Sequence, residues 1–254
     1  MASRIYQTEA IVIKKNRFGE ADRLLTLYTP AYGKIRAIAK GAMRPKSKLG
    51  GNVELLTHSL LMLAKGRNLD IITQAQTIDN FMTLKENLEL ISYGFYISEL
   101  MDAFTEENTE DKQLFKLLLN TLRELSSGKD AVHMLHYFEL QLLEHLGYKP
   151  LLDRCVGCSR ELLPEVNYFS PSQGGVLCCE CGYPDISANI LSVNGLKVMR
   201  YWQRCDFSSA TRVKLSSELS KELKITMRSY IKYLLEKQLK SLDWLDELSS
   251  NHVR

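Results

Sequence analysis

Hydrophobic and polar positions change period once along this chain, near residue 81. Before that point the pattern is that of strands. Thr8-Glu-Ala-Ile-Val-Ile-Lys-Lys15 is apolar and β-branched, Arg23-Leu-Leu-Thr-Leu-Tyr28 alternates less cleanly, and Lys34-Ile-Arg-Ala-Ile-Ala-Lys40 alternates except at Ile38. Successive strand side chains point to opposite faces, so Lys34, Arg36 and Lys40 fall among outward positions. Val53–Ala64 and Leu69–Ile78 follow, split by Lys65-Gly-Arg-Asn68, which has the chemistry of a hairpin turn. Five short strands with turns between them suit a small barrel, most simply a five-stranded OB-type one. Residues 41–52 form a basic, Gly/Pro-rich loop between the third and fourth strands.

From Phe81 the period is helical. Asn87–Phe104 is apolar at helical spacing, and Glu107-Asn-Thr-Glu-Asp111 supplies a cap and an acidic first turn for a helix running to about Ser126. A further helix is predicted over Asp130–Leu146, with Gly147 and Pro150 as its stop. A Cys/Gly/Pro-rich insert occupies about 153–185, and Ser192–Arg204 and Ser217–Leu242 again read as helices. The expected class is α+β and multi-domain. Residues 1–80 form an OB-fold nucleic-acid-binding domain, and 81–254 a mainly α-helical one carrying the insert.

Composition narrows the class. The chain has 254 residues, 45% hydrophobic and 25% charged, the profile of a soluble globular protein rather than a disordered or membrane one. No stretch approaches the ~18 uninterrupted apolar residues of a membrane helix. The start lacks the layout of a secretory signal, so the expected compartment is the cytoplasm, where cysteines stay as thiols or bind metal. Charge is sorted into blocks. Residues 1–80 carry 13 Lys and Arg against 6 Asp and Glu, residues 81–188 carry 8 against 17, and residues 189–241 carry 11 against 4. Two basic segments around an acidic middle point to a polyanionic partner.

Five of the six cysteines lie between 155 and 181. Cys155-Val-Gly-Cys158 and Cys178-Cys-Glu-Cys181 each contain a C-x₂-C pair, at a separation typical of zinc sites. Two residues between thiolates let one turn aim both sulfurs at one ion, and a second turn completes a tetrahedron. Only Cys178 stands three residues before Cys181, so Cys155, Cys158, Cys178 and Cys181 are the expected ligands of one structural zinc, with Cys179 spare. An iron–sulfur cluster also uses four cysteines, a disulfide needs an oxidising compartment, and a redox pair needs βαβ surroundings.

No phosphate-binding loop, zinc-protease helix or nucleophile elbow occurs in the sequence. His133 and His136 sit one helical turn apart and suit a partly buried helix position better than a metal pair. The expectation is a protein that is not an enzyme. Lys34, Arg36, Lys40, Arg44, Lys46 and Lys48 follow one another with no acid among them, and Lys14, Lys15 and Arg23 belong to the same barrel. Such a run is either a solvated, solubilising loop or a track for nucleic-acid phosphates. Few aromatic residues lie in this segment, so binding is expected to be mainly electrostatic, tolerant of sequence and dependent on salt. An OB barrel with basic loops does not separate DNA from RNA, and a zinc-containing RNA-binding adaptor is the alternative reading. A nuclease or nucleotidyl transferase lacks its carboxylate constellation here.

Several segments together resemble the RecO family of bacterial recombination mediators, over nearly the whole chain. Gly19-Glu-Ala-Asp-Arg-Leu-Leu-Thr-Leu-Tyr28, Gly33-Lys-Ile-Arg-Ala-Ile-Ala-Lys-Gly-Ala42 and Arg44-Pro-Lys-Ser-Lys-Leu-Gly-Gly51 look like its second strand, basic strand and basic loop. Phe169-Ser-Pro-Ser-Gln-Gly-Gly-Val-Leu-Cys178, with its flanking cysteine pairs, is similar to the zinc loop of the metal-containing branch. Ser159, where a glycine often follows the first pair, and the extra Cys179 depart from that pattern. The resemblance implies DNA repair and homologous recombination by a bacterial, nucleoid-associated protein. It implies binding to single- and double-stranded DNA, strand annealing, partnership with RecR, and contact with the C-terminal tail of single-strand-binding protein so that RecA can load. Within the second basic segment, an apolar stripe of Leu219, Leu223, Met227, Tyr230, Ile231 and Leu234 is either core-facing or one wall of a groove. In the second case Arg200, Arg204 and Lys224 are the expected contacts for that acidic tail.

Overall fold

The computed structural model describes residues 4–128, 132–236, 239 and 241. Packing divides the chain into two compact units, residues 1–129 with 240–254 and residues 130–239.

In the first unit, β1 (Ile5–Phe18), β2 (Asp22–Thr29), β3 (Gly33–Ala39), β4 (His58–Ala64) and β5 (Asp70–Asp79) close into a barrel of order β1-β2-β3-β5-β4. All pairs are antiparallel except β3 with β5, where Ala37 faces Asp70 and Ile38 faces Ile71. β1 bonds to both β2 and β4, and a register shift between Val12 and Lys14 lets one long strand bend from one partner to the other. The interior holds Val12, Leu25, Leu27, Ile35, Ala37, Ala39, Leu61, Leu63 and Ile72, each burial worth ~1.5–3 kcal/mol for the larger side chains. Val53 plugs the barrel from a single 3₁₀ turn, Gly50–Val53, so the segment from Val53 to Thr57 is turn and loop rather than the strand start its apolarity predicts.

Helices α1 (Met82–Glu86), α2 (Leu88–Phe104) and α3 (Lys112–Ser126) belong to this same unit. Asn87 caps α2 by accepting from the Glu89 and Leu90 amides, and Asp111 caps α3 by accepting from Leu114. The acidic first turn expected for α3 is absent: Glu107 and Glu110 stay upstream and pair with Arg36 and Lys112. The strand-to-helix change at residue 81 and the packing division at 129 are therefore different boundaries. Gly94 shows how closely α2 approaches the chain below it, since a Cβ there would lie 2.6 Å from Leu56 Cδ1.

The second unit is built on α4 (Val132–His145), β6 (Asn167–Ser170), β7 (Gly175–Leu177), α5 (Cys179–Gly182), β8 (Asn189–Leu191), α6 (Val193–Trp202), α7 (Phe207–Ala210) and α8 (Ser217–Leu235). The three strands form one antiparallel sheet ordered β7-β6-β8. Phe138, Phe169, Met199, Trp202, Leu223, Met227 and Ile231 are buried, and the Phe169 and Tyr230 rings meet edge to face at 5.4 Å. The stripe on α8 is core-facing at Leu223, Met227, Tyr230 and Ile231, while Leu219 and Leu234 are only half-buried. His133 and His136 are both buried, and His136 Nδ1 lies 2.9 Å from the buried Glu139 carboxylate. Of the predicted helix ends, Asp130 and Leu242 lie outside the described residues.

Candidate nucleic-acid interface and metal centre

The barrel carries the first candidate site. On β3 the interior positions are Ile35, Ala37 and Ala39, which turns Lys34 and Arg36 outward. Outward is not exposed for Lys34: it is 8% accessible, and its ammonium donates to the Asp102 carbonyl at 2.7 Å with the Asp102 carboxylate at 3.8 Å. The segment after α2 causes this, running beside the start of β3 so that the Asn108 amide donates to the Lys34 carbonyl at 2.9 Å. That approach requires Gly33, where φ is +60° and a Cβ would sit 1.8 Å from the Thr109 carbonyl oxygen.

Three carboxylates hold five of the predicted cations. Asp102 takes Lys14 at 2.6 Å as well as Lys34, Glu107 takes Arg36 at 2.8 Å, and Glu54 takes Lys15 and Arg23 together. Burial opposes ionisation of Glu54, but the hydrogen bonds from Lys15 and Arg23 outweigh it and hold the carboxyl below its ordinary value. Lys40, Arg44, Lys46 and Lys48 are exposed, with no carboxylate partner among the described residues. Their loop is nevertheless ordered by its own bonds. Asp22 accepts from the Gly41 amide at 2.7 Å, Met43 donates to the Ala21 carbonyl, and Ser47 Oγ accepts from Leu49 and Gly50. The arrangement presents four cations on a fixed backbone.

Glu54, Asp102 and Glu107 are the residues that sequence reasoning missed. Asp102 is 88 positions from Lys14, and only the docking of α2 on the barrel brings them together.

The second site is a cysteine cluster. Cys155, Cys158, Cys178 and Cys181 place their sulfurs within 4.8 Å of one another. Cys155 and Cys158 lie on a turn whose Ser159 takes φ +61°, and Cys178 and Cys181 lie at the start and on the body of α5. Thiolate sulfurs about 2.3 Å from a tetrahedral ion stand about 3.8 Å apart, and Cys158 and Cys178 are separated by 3.8 Å. The donor set fits one four-coordinate metal ion with no position left over. The Arg160 amide and guanidinium pull the Cys158 thiol down to about 6, while contact with Cys158 and Cys178 pushes Cys181 up to about 12. Cys179 points elsewhere, its exposed thiol 3.4 Å from Glu165 Oε1.

The third set does not assemble as a groove of free cations. Arg200 donates to the Leu152 carbonyl at 2.9 and 2.7 Å, and Arg204 donates to Asp153 at 2.8 Å. Arg200 of α6 and Arg204 in the turn after it therefore fasten the segment before the cysteines, whereas Lys224 lies half-buried on α8. Beside that fastened segment is a cleft of about 630 Å³ lined by Lys149, Leu151, Arg154, Val156, Gln173 and Gln203 among others. No described helix is long and apolar enough to cross a membrane.

Comparison with known proteins bears on both units. Residues 1–81 match the family described as Recombination protein O N terminal, and residues 85–243 match Recombination protein O C terminal. The chain is 43% identical over 243 residues to the DNA repair protein RecO of Dehalococcoides mccartyi strain CBDB1, covering 96% of each. It is 41% identical over 248 residues to that of Roseiflexus sp. strain RS-1, covering 98% of this chain and 87% of the relative. To that of Symbiobacterium thermophilum it is 35% identical over 249 residues, covering 97% and 98%.

Proposed function

Because the chain belongs to the RecO family of DNA repair proteins, we propose that it is a non-enzymatic mediator that binds single- and double-stranded DNA and anneals complementary strands. The observation that carries this reading is the ordered loop bearing Lys40, Arg44, Lys46 and Lys48 on a closed β1-β2-β3-β5-β4 barrel. Annealing needs two strands held by their phosphates with bases left free to pair. Cations on a sequence-blind track meet that need, and base-specific contacts would oppose it. Lys14, Lys15, Arg23, Lys34 and Arg36 belong to the same barrel, but their carboxylate partners make them secondary contributors.

The mediator works with RecR, and contact with the acidic C-terminal tail of single-strand-binding protein lets RecA load on coated DNA. In the second unit, Arg204 and the cleft lined by Lys149, Leu151 and Arg154 are where cations and exposed apolar atoms meet, chemistry suited to such a tail. Arg200 supports that surface by holding Leu152, and Lys224 contributes charge from α8. The cysteine cluster takes one zinc, which would cross-link the two cysteine turns and hold the 153–185 insert in shape. The compartment is the bacterial cytoplasm, at the nucleoid.

The test is annealing of labelled complementary strands, bare and coated with single-strand-binding protein, with and without RecR. Faster pairing on both, with no covalent change in the strands under Mg²⁺, is the expected result. Tight preference for RNA without annealing would select the adaptor reading instead, and strand cleavage would select an enzyme.

A further inference from the structure

Asp102 and Glu54 each divide their two oxygens between two cations on different strands, and of the two Glu54 is the more accessible, 39% of its side chain against 27%. At Glu54 the division gives Oε2 to Lys15 of β1 and Oε1 to Arg23 of β2. A phosphodiester offers a pair of anionic oxygens in the same fashion, its two non-bridging ones, and Arg and Lys are the side chains that bind them. Two cations thus meet one carboxylate, and the pocket keeps one positive charge in excess with its own anion in place. Lys85 stands apart, its Nζ donating to Thr57 Oγ1 at 2.8 Å. Glu54 keeps 39% of its side chain accessible, so an incoming anion can reach it.

The pocket at Asp102 differs, since Lys34 is buried there and cannot follow a displaced carboxylate to solvent. Glu107 is matched by one guanidinium. Of the two bridged carboxylates, Glu54 is the one whose partners both keep some access to solvent, Lys15 at 29% and Arg23 at 19% against 10% for Lys34.

We propose that Lys15 and Arg23 form a phosphate subsite of the barrel, and that Glu54 occupies it as a built-in stand-in for a DNA phosphate. The proposal rests on the DNA-binding reading above and refines it. Glu54 sets the threshold at which a strand spreads from the loop onto β1 and β2. A strand must displace the carboxylate to gain this contact, so the subsite adds little to loose, transient binding and more to a strand already held by Lys40–Lys48. Such partial occlusion suits an annealing protein, which must release the strands it has paired.

The experiment measures anisotropy of a labelled single-stranded oligonucleotide against salt, for the parent chain, Glu54→Gln, Lys15→Gln and the double variant. One added single-strand phosphate contact steepens log K against log[salt] by about 0.7. Between 50 mM salt and 1 M, where the charge contribution is extinguished, that is about an eight-fold gain at the low end. Glu54→Gln is expected to bind about eight-fold tighter at 50 mM with the steeper slope. In the double variant Lys15→Gln should remove the gain. Glu54→Ala, which leaves more room, gives the same reading should the amide refold the pocket. Unchanged or weaker binding by both Glu54 variants overturns the proposal and makes Glu54 a residue that positions Lys15 and Arg23. If the parent chain itself fails to bind the oligonucleotide at any salt, the DNA-binding reading fails, a result distinct from the first.

Discussion

Replacing Lys46 by alanine should cost DNA binding and almost no stability, and replacing Lys34 should do the reverse. Both are lysines of one basic run, so charge counting along the chain treats them alike. The structure separates them. Lys46 is exposed on the loop with no carboxylate partner among the described residues, whereas the Lys34 ammonium is buried against Asp102. Each neutralised phosphate of a single strand contributes about 0.7 to the slope of log K against log[salt]. Four working cations, Lys40, Arg44, Lys46 and Lys48, give a slope of about −3, and adding Lys34 and Arg36 would give about −4. With four contacts, raising salt from 50 to 200 mM weakens binding about 50-fold; for Lys46→Ala the same step costs about 20-fold. Lys34→Ala should keep the parent slope. It leaves the Asp102 carbonyl without its donor and should lower stability by about 1–3 kcal/mol, against about 0.5 or less for Lys46→Ala. Fluorescence anisotropy titrations over a salt series, paired with urea unfolding, measure both quantities. A parent slope near −4 that Lys34→Ala reduces as much as Lys46→Ala would refute the separation.

Three further outcomes follow from the same geometry. Cys178→Ser should lose bound metal while Cys179→Ser keeps one ion per chain, as read by elemental analysis; the reverse would move the ligand set onto Cys179. Gly33→Ala combines a left-handed backbone with a Cβ driven into the Thr109 carbonyl, and should destabilise by roughly 2–4 kcal/mol in denaturant unfolding. A wild-type midpoint for that variant would mean the 105–109 segment does not press on β3. The Glu54 carboxyl is held below its ordinary value in the folded chain, so its pairs add stability above the unfolded carboxylate range near about 4.3. That stability disappears as pH falls through the lower folded value. The unfolding midpoints of the parent and Glu54→Gln should therefore differ at neutral pH and converge in acid, and a constant offset at all pH would contradict the assignment.

Local pattern determined much of this protein. Period-2 alternation in Lys34–Lys40, the turn at Lys65–Asn68 and helical spacing after Phe81 specify strands and helices because each element needs one face to bury. The two C-x₂-C pairs specify a four-sulfur cluster because a three-residue step already aims two sulfurs at one point. Even the choice of Cys178 over Cys179 follows from that step, and the structure places Cys178 in the cluster and Cys179 against Glu165. Charge pairing obeyed no such local rule. Whether Lys34, Arg36, Lys15 and Arg23 face water or a carboxylate was decided by where α2, the segment after it and the 3₁₀ turn dock on the barrel. Arg200 and Arg204 likewise became fasteners of Leu152 and Asp153 because α6 packs beside that segment. An ion pair needs only that two side-chain ends come within about 4 Å, a condition set by tertiary packing between residues far apart in sequence. Alternation along one strand records which way a side chain points, and only the folded chain decides what waits there to meet it.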